Sequence, residues 1–515
     1  MADVTYRANL KASSFPFLSE LFGQSIIVKQ QDQNYIAGLA AKESVDSAAG
    51  VPQVYYLHNV IPTDNGYRAV GYSEYTAPVF AAAVNMNRVV TLRDENGNSA
   101  QLGITAGGLL YVMEKGTNVW LSPGDAPPAG DIAGRRVTVA FVSGVTYIYF
   151  SKYACYTYDW TTQSLTLVVL GGLDNSEVVG VVGNKGYMLA YTESELAWSS
   201  VLDATDFVPS LETGAGGGQV EGARGKIVTA EEVLGGIIIF ASENCIAAIA
   251  SDNARYPYDF KPITGGGGLV DADYVSRDAG SGSVYAYTTS GMQQISLKSA
   301  ASVFPEVTDF ISGGLFESFN ESLLELQLVE TDSSLILKRI ALVLDRYLIV
   351  SYGDAVLDHA LYYDTAYKQW GRLKLEHTAV FDLSIQPTDT VETPKRSIAF
   401  LKATGAIDVL DTNIISANAN GVMITGKYQY VRTRTLQLQG VTVENVEPTA
   451  EFKLYALITL DGKNFQPAVE GYLFNQVGKL REYKFHVSGV NHSLLWKGNF
   501  NSVSAVLNFN IAGSR

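Results

Sequence analysis

A short apolar strand recurs seven times along this chain, each time followed by a polar turn and a second strand. It reads Gly108-Leu-Leu-Tyr-Val-Met, Thr146-Tyr-Ile-Tyr-Phe, Gly186-Tyr-Met-Leu-Ala-Tyr and Gly236-Ile-Ile-Ile-Phe, then Ser283-Val-Tyr-Ala-Tyr, Tyr347-Leu-Ile-Val-Ser-Tyr and Ser397-Ile-Ala-Phe-Leu. The steps between these runs span 38 to 64 residues, most of them 40 to 50. A period of that size with room for about four strands is the pattern of propeller blades. One such sheet cannot bury both of its faces alone, so blades must stack around an axis. The repeat therefore predicts one radial all-β body, a β-propeller of six or seven blades, and points to no reaction.

Composition agrees with strands. Of 515 residues, 47% are hydrophobic and 17% charged, with 48 Gly and 30 Tyr but only 15 Pro, so a large core and many tight turns are available. The net charge of −15 is uneven: residues 1–420 carry 27 basic and 46 acidic side chains, residues 421–515 carry 10 and 6. An acidic body repels polyphosphate and argues against a protein that coats DNA; it suits plain solubility, or a surface past which DNA slides. Cys155 and Cys245 make no disulfide framework. The first residues lack a continuous apolar stretch of the secretory kind, and no apolar run reaches the ~20 residues needed to span a bilayer, so synthesis in a reducing cytoplasm is expected.

Three regions follow. Residues 1–50 read as an N-terminal segment and linker, with a short helix or linker over Ala40–Gly50. Residues 51–420 carry the blade pattern, with an insertion at about 302–337, and Asn65-Gly66 and Asn96-Gly97 are hairpin turns. Residues 421–515, where the charge balance changes sign, alternate polar and apolar residues and read as a C-terminal β-sandwich.

Local motifs speak mostly against chemistry. A phosphate loop ending at Gly225-Lys226 would need Gly at 220 and Ser or Thr at 227, where Val220 and Ile227 stand. A dinucleotide fingerprint from Gly214 and Gly216 would need Gly at 219, where Gln219 stands. The two glycine runs, Gly214, Gly216, Gly217, Gly218 and Gly265, Gly266, Gly267, Gly268, read as flexible loops or tight blade connections, and if functional as mobile lids or constrictions. No pair among the five histidines has chelating spacing, and Asp271-Ala-Asp273 begins like a calcium loop but is not continued in register, so no metal and no cofactor is expected. Asp203, Asp206, Asp309 and Asp364 are isolated acids near strand ends, which propeller glycosidases use for catalysis and most proteins use to cap turns.

Taken together, Ser25-Ile-Ile-Val-Lys-Gln-Gln-Asp-Gln-Asn, Ala197-Trp-Ser-Ser with Thr205-Asp-Phe, Gly268-Leu-Val-Asp with Val284-Tyr-Ala-Tyr-Thr-Thr-Ser-Gly-Met-Gln, and Phe304-Pro-Glu-Val-Thr-Asp-Phe-Ile resemble the tail nozzle proteins of short-tailed bacteriophages. These are also called tail tubular protein B or packaged-DNA stabilisation protein. The resemblance covers most of residues 20–415. It implies a non-enzymatic virion subunit, made in the host cytoplasm, that forms a hexameric ring below the portal and adaptor. Such a ring holds and gates the packaged DNA without reading its sequence and offers its flank to fibres or spikes. On that reading the two glycine runs are candidate gate loops, and Arg432, Arg434 and Lys484 are a candidate docking face of the basic C-terminal domain. The alternatives are a receptor-binding or fibre-docking propeller, and a propeller glycosidase or depolymerase.

Overall fold

The computed structural model describes residues 3–8, 25–27, 54–63, 66–76, 85–96, 99–114, 119–251, 257–278, 282–304, 315–320, 325–330, 336–353, 357–366, 369–385, 395–410, 420–425, 427–429, 436–444, 452–459, 466–467, 472–474, 481–489, 491–500 and 504–511. Within them lie seven propeller sheets. Blade 1 has Met86–Arg93, Ser99–Thr105 and Leu110–Glu114, with Leu121 bridging to Val112 in the fourth place. Blade 2 comprises Val137–Val142, Val145–Phe150, Ala154–Asp159 and Ser164–Val168; blade 3, Gly180–Asn184, Tyr187–Tyr191, Glu195–Trp198 and Gly216–Gln219. Blade 4 comprises Ile227–Val233, Gly236–Ala241, Asn244–Ala250 and Tyr258–Gly267; blade 5, Val275–Asp278, Ser283–Thr288, Gly291–Ser296 and Ala300–Ser302. Blade 6 comprises Ile336–Val343, Tyr347–Gly353, Leu357–Asp364 and Gln369–His377. Blade 7 takes Ala379–Ile385, Lys395–Leu401 and Ile407–Leu410 from one stretch and its outer strand, Tyr72–Thr76, from far upstream. The first strand of each blade packs beside that of the next, and blade 7 beside blade 1, so the ring closes.

The apolar runs that announced the blades are mostly their second strands, and their continuity has a simple cause. In Gly236–Ala241, Ile237 and Ile239 face the core shared with blade 3, whereas Ile238 and Phe240 face blade 5. Every residue of that strand is buried. A strand pressed between two neighbours has no wet face, so its sequence does not alternate. Blade 1 departs from the pattern: its announced run is the third strand, because the second, Ser-Ala-Gln-Leu-Gly-Ile-Thr, is interrupted by Gln101 and Gly103. A Cβ on Gly103 would lie 2.7 Å from Met86 Sδ, and buried Gln101 accepts from Thr91 and donates to the Asp382 carbonyl at 3.1 Å in blade 7. Both interruptions seal blade 1 against blade 7, where Met86, Met113, Trp120, Phe381 and Leu401 form one cluster.

The chain termini are woven into this body. Asp3–Ala8 pairs antiparallel with Ser504–Ile511, in a sheet completed by Leu436–Glu444 and Arg481–Gly489. Val54–His58 pairs on one side with Gly421–Thr425 of the C-terminal unit and touches the outer strand of blade 6 on the other, His58 against Arg372. Blade 6 and one sheet of the C-terminal unit thus form a single 12-stranded sheet. From Asn59, in the left-handed region at φ 49°, the chain turns through Val60–Thr63 and Gly66–Ala69 into the outer strand of blade 7. The segment read as a linker therefore supplies strands to the C-terminal unit, and residues 54–76 act as a strap; short edge strands such as Asp-Val-Thr-Tyr-Arg-Ala carry little local signal. The helix or linker expected over Ala40–Gly50 lies outside the described residues. A hairpin, Leu315–Asn320 with Glu325–Glu330, occupies part of the expected insertion.

Candidate functional site

The seven inner strands enclose a cavity of about 560 Å³ on the propeller axis, lined among others by Val90, Val139, Val181, Ala230, Ser276 and Leu342. Its two ends differ in charge. At the end where the inner strands begin, arginines reach across the mouth. Arg136, one residue before the inner strand of blade 2, donates to the Val228 carbonyl and to Thr229 Oγ1 of blade 4, both at 2.9 Å. Arg88 of blade 1 donates to the Arg135 carbonyl at 3.3 Å and lies 4.0 Å from Asp273, which precedes the inner strand of blade 5. Arg339 of blade 6 lies 3.6 Å from the same carboxylate and donates to the Thr378 carbonyl at the entry to blade 7. Burial and the neighbouring Arg88 charge push the Arg339 pKa down against the pull of Asp273.

At the other end the cavity is bordered by Glu231, Glu232, Asp345 and Asp382, and by Arg93 at the end of the blade 1 inner strand. Asp345 and Asp382 share one guanidinium, Arg396, at 3.0 and 2.5 Å, and Asp382 also accepts from the Leu344 amide. Asn184 donates to Glu232 at 3.5 Å. The acids bordering this end are thus drawn from blades 4, 6 and 7, and two of them hold a turn in place.

The isolated acids read from the sequence are turn caps where they are described. Asp203 accepts from the amide and hydroxyl of Thr205 at 2.8 and 2.7 Å, bonds that lower its pKa. Asp206 accepts from the Val208 amide, while buried Asp364 caps Ala366 and takes both N–H groups of Arg346 at 2.9 and 2.7 Å. Asp309 lies outside the described residues. The caps serve a recurrent joint: the exit of one blade pairs with the outer turn of the next, Gly124 with Ser164, Gly171 with Asp206 and Thr264 with Ser299.

The glycine runs are not open loops. Gly216, Gly217 and Gly218 belong to the outer strand of blade 3, paired with Trp198, Ala197 and Leu196, and the Trp198 indole donates to the Gly214 carbonyl at 2.9 Å. Gly265, Gly266 and Gly267 end the outer strand of blade 4, and Gly268 makes the crossing to blade 5. Around them the Gln293 side chain donates to the Gly265 carbonyl at 2.8 Å and accepts from the Gly267 amide at 3.0 Å; the Cys245 thiol donates to the Gly267 carbonyl. Glycine is required there because backbone passes so closely: a Cβ on Gly268 would sit 2.1 Å from the Ser242 carbonyl oxygen. These segments are thus strand edges and a blade crossing, not the flexible loops expected from the sequence. Of the expected docking residues, Arg432 and Arg434 lie outside the described residues, and Lys484 pairs with Gly440 inside a sheet of the C-terminal unit.

Among the described residues no three His, Cys, Asp or Glu side chains are placed to hold a metal ion, and no helix is long and apolar enough to cross a membrane. The arginines at the axis were missed from sequence because Arg88, Arg136 and Arg339 lie in three different blades; only the closed ring brings those blades together.

No protein-family model and no curated protein matches the chain. Among solved structures it is similar to YCF48 from Cyanidioschyzon merolae (11% identity, 67% of this chain and 100% of that one, TM-score 0.37). It is also similar to the WD40 β-propeller domain of Doa1 (9%, 67% and 98%, TM-score 0.36) and to a glycoside hydrolase (11%, 83% and 98%, TM-score 0.26).

Proposed function

We propose that this chain is a structural subunit of a virus particle, the tail nozzle of a short-tailed phage, in which six copies surround the DNA path. The observation that supports this most is how the chain is tied. A propeller is weakest where its last blade meets its first, because that joint has no peptide bond across it. Here one upstream stretch, residues 54–63 and 66–76, completes blade 7, touches the outer strand of blade 6 and pairs with Gly421–Thr425 of the C-terminal unit. A wall that confines a packed genome is loaded outward, and completing blade 7 with the upstream strand Tyr72–Thr76 converts opening of the ring there into breakage of a ladder of hydrogen bonds. The net charge of −15 per copy suits a conduit to which DNA does not adhere. Within this reading an adaptor neighbour, fibres or spikes and the passing DNA are the partners, and no catalytic residue is assigned.

A propeller hydrolase is the rival worth testing, since carboxylates from several blades border one cavity. The deciding experiment is light scattering on the full chain combined with negative-stain images of the protein and of isolated tails. A hexameric ring with a DNA-wide hole, alone or on the tail, is expected. A stable trimer, or tails whose images hold the protein only in lateral appendages, overturns the nozzle. Saccharide turnover lost in Glu231→Gln would replace it with the hydrolase.

A further inference from the structure

Next to the end of the axial cavity that Arg136 lines, two further arginines are loosely neutralised. Arg88 and Arg339 converge on one oxygen, Asp273 Oδ2, at 4.0 and 3.6 Å. Charge-assisted pairs that satisfy each other close to about 2.7–2.9 Å, so this carboxylate touches neither guanidinium at hydrogen-bond distance. Arg88 also donates to the Arg135 carbonyl, whereas the Arg136 guanidinium is turned to the Val228 carbonyl and Thr229 Oγ1 of blade 4. The second acid nearby, Asp271, is turned to its own 3-10 turn, where it accepts from the Asp273 amide at 2.9 Å. His377, which lies near Arg339, is held neutral by burial, its pKa pushed down to about 4.

Two guanidiniums therefore share one carboxylate oxygen in a partly buried site, where the Arg88, Arg339 and Asp273 side chains are 31%, 23% and 32% exposed. Each guanidinium offers five N–H donors, far more than these contacts engage. Val89 and Val275, close in the chain to Arg88 and Asp273, line the axial cavity of about 560 Å³ together with Arg136, so the pair stands next to that cavity in the ring. An oxyanion placed between Arg88 and Arg339 would take N–H groups from both and relieve their mutual repulsion.

We propose that this arginine pair is a binding site for a compact tetrahedral oxyanion, a phosphate or sulfate or the phosphoryl group of a small ligand, held by Arg88 and Arg339. Asp273 is its competitor: it occupies the site electrostatically when the anion is absent. The site stands independently of any role in a virus particle.

The test uses the full-length protein and inorganic phosphate, with the unfolding midpoint followed against sodium chloride at matched ionic strength. A saturable rise over chloride is expected, half-complete at low millimolar phosphate. It should vanish in the double variant Arg88→Gln, Arg339→Gln. Should that variant fail to fold, Asp273→Asn decides, because removing the competitor is expected to tighten phosphate binding several-fold. Equal midpoints in phosphate and chloride, a rise that survives the double variant, or weaker binding in Asp273→Asn each overturns the site.

Discussion

Two glycine runs that look interchangeable in sequence are built for opposite circumstances. Residues 214–218 form the outer edge of blade 3, where Gly217 and Gly218 are exposed and only one ladder holds them. Residues 265–268 form a corner between blades 4 and 5, held from both sides by Gln293, Cys245, Thr289 and Ala241. In the first run glycine keeps side chains away from the Trp198 ring, 3.1 Å from where a Gly216 Cβ would stand. In the second it lets backbone approach backbone. Composition does not separate these two uses of glycine; neighbours do.

The corner should be the more fragile of the two. Gly268→Ala sets a methyl 2.1 Å from the Ser242 carbonyl oxygen and 2.4 Å from its carbon, and neither can move without opening the start of the third strand of blade 4. Overpacking against fixed backbone costs about 3 kcal/mol or more. Urea unfolding should show that loss, and hydrogen exchange should show faster amides at Gly267 and Leu269. A near-neutral Gly268→Ala would mean that the corner is loose and would restore a hinge there.

Gln293→Leu probes the same corner without adding bulk. Gln293 is buried, and its loss strands the buried Gly267 amide, while the Gly265 carbonyl it also holds is exposed. Leaving buried partners unpaired costs about 1–3 kcal/mol. The polar contact of the blade 3 run, Trp198 to the Gly214 carbonyl, is half-buried, whereas the Gln293 to Gly267 contact is buried. Trp198→Phe should cost less than Gln293→Leu in the same unfolding assay.

The thiol beneath the corner gives a pH handle. Burial pushes the Cys245 pKa up from 9.0 to about 12. The unfolded chain ionises it earlier, so its contribution is complete below about pH 9 and is lost as pH climbs toward 12. At pH 10 the loss is about 1 kcal/mol, and a Cys245→Ala variant should lose stability less steeply than the parent between pH 9 and 10. Equal slopes would place the thiol in contact with water.

How much of this was legible in the sequence depended on whether its cause was local. The second strands of blades 2 to 7 were, because burial on both faces writes a continuous apolar run such as Gly236-Ile-Ile-Ile-Phe into the chain. The second strand of blade 1 was not, since Gln101 and Gly103 answer to Asp382, Met86 and Trp120 in other parts of the ring. Closure of blade 7 was hidden for the same reason. Tyr-Ser-Glu-Tyr-Thr carries no apolar run, and its partner strand Ile407–Leu410 lies at the far end of the body. Asp273 was set aside as an incomplete calcium loop; its meaning rests on Arg88 and Arg339, two blades that no local window contains. Asp203, Asp206 and Asp364 by contrast behave as turn chemistry dictates, because the amides they cap are within three residues.

The smallest effect carries the opposite sign. A Cβ on Gly218 would meet nothing within 4 Å, and its φ lies outside the left-handed region. Alanine there removes freedom from the unfolded chain without straining the folded one, which stabilises by about 0.4–1 kcal/mol. Gly217 is tighter, with the Ala197 Cα 3.0 Å from the added methyl, so Gly217→Ala should fall between Gly218→Ala and Gly268→Ala. The three substitutions, one atom group each, then form a graded series along which the same residue type passes from dispensable to required. Should Gly218→Ala destabilise, that edge must already be covered by something the isolated chain does not supply. In the nozzle reading this would be a neighbouring copy, and the shift should then depend on protein concentration.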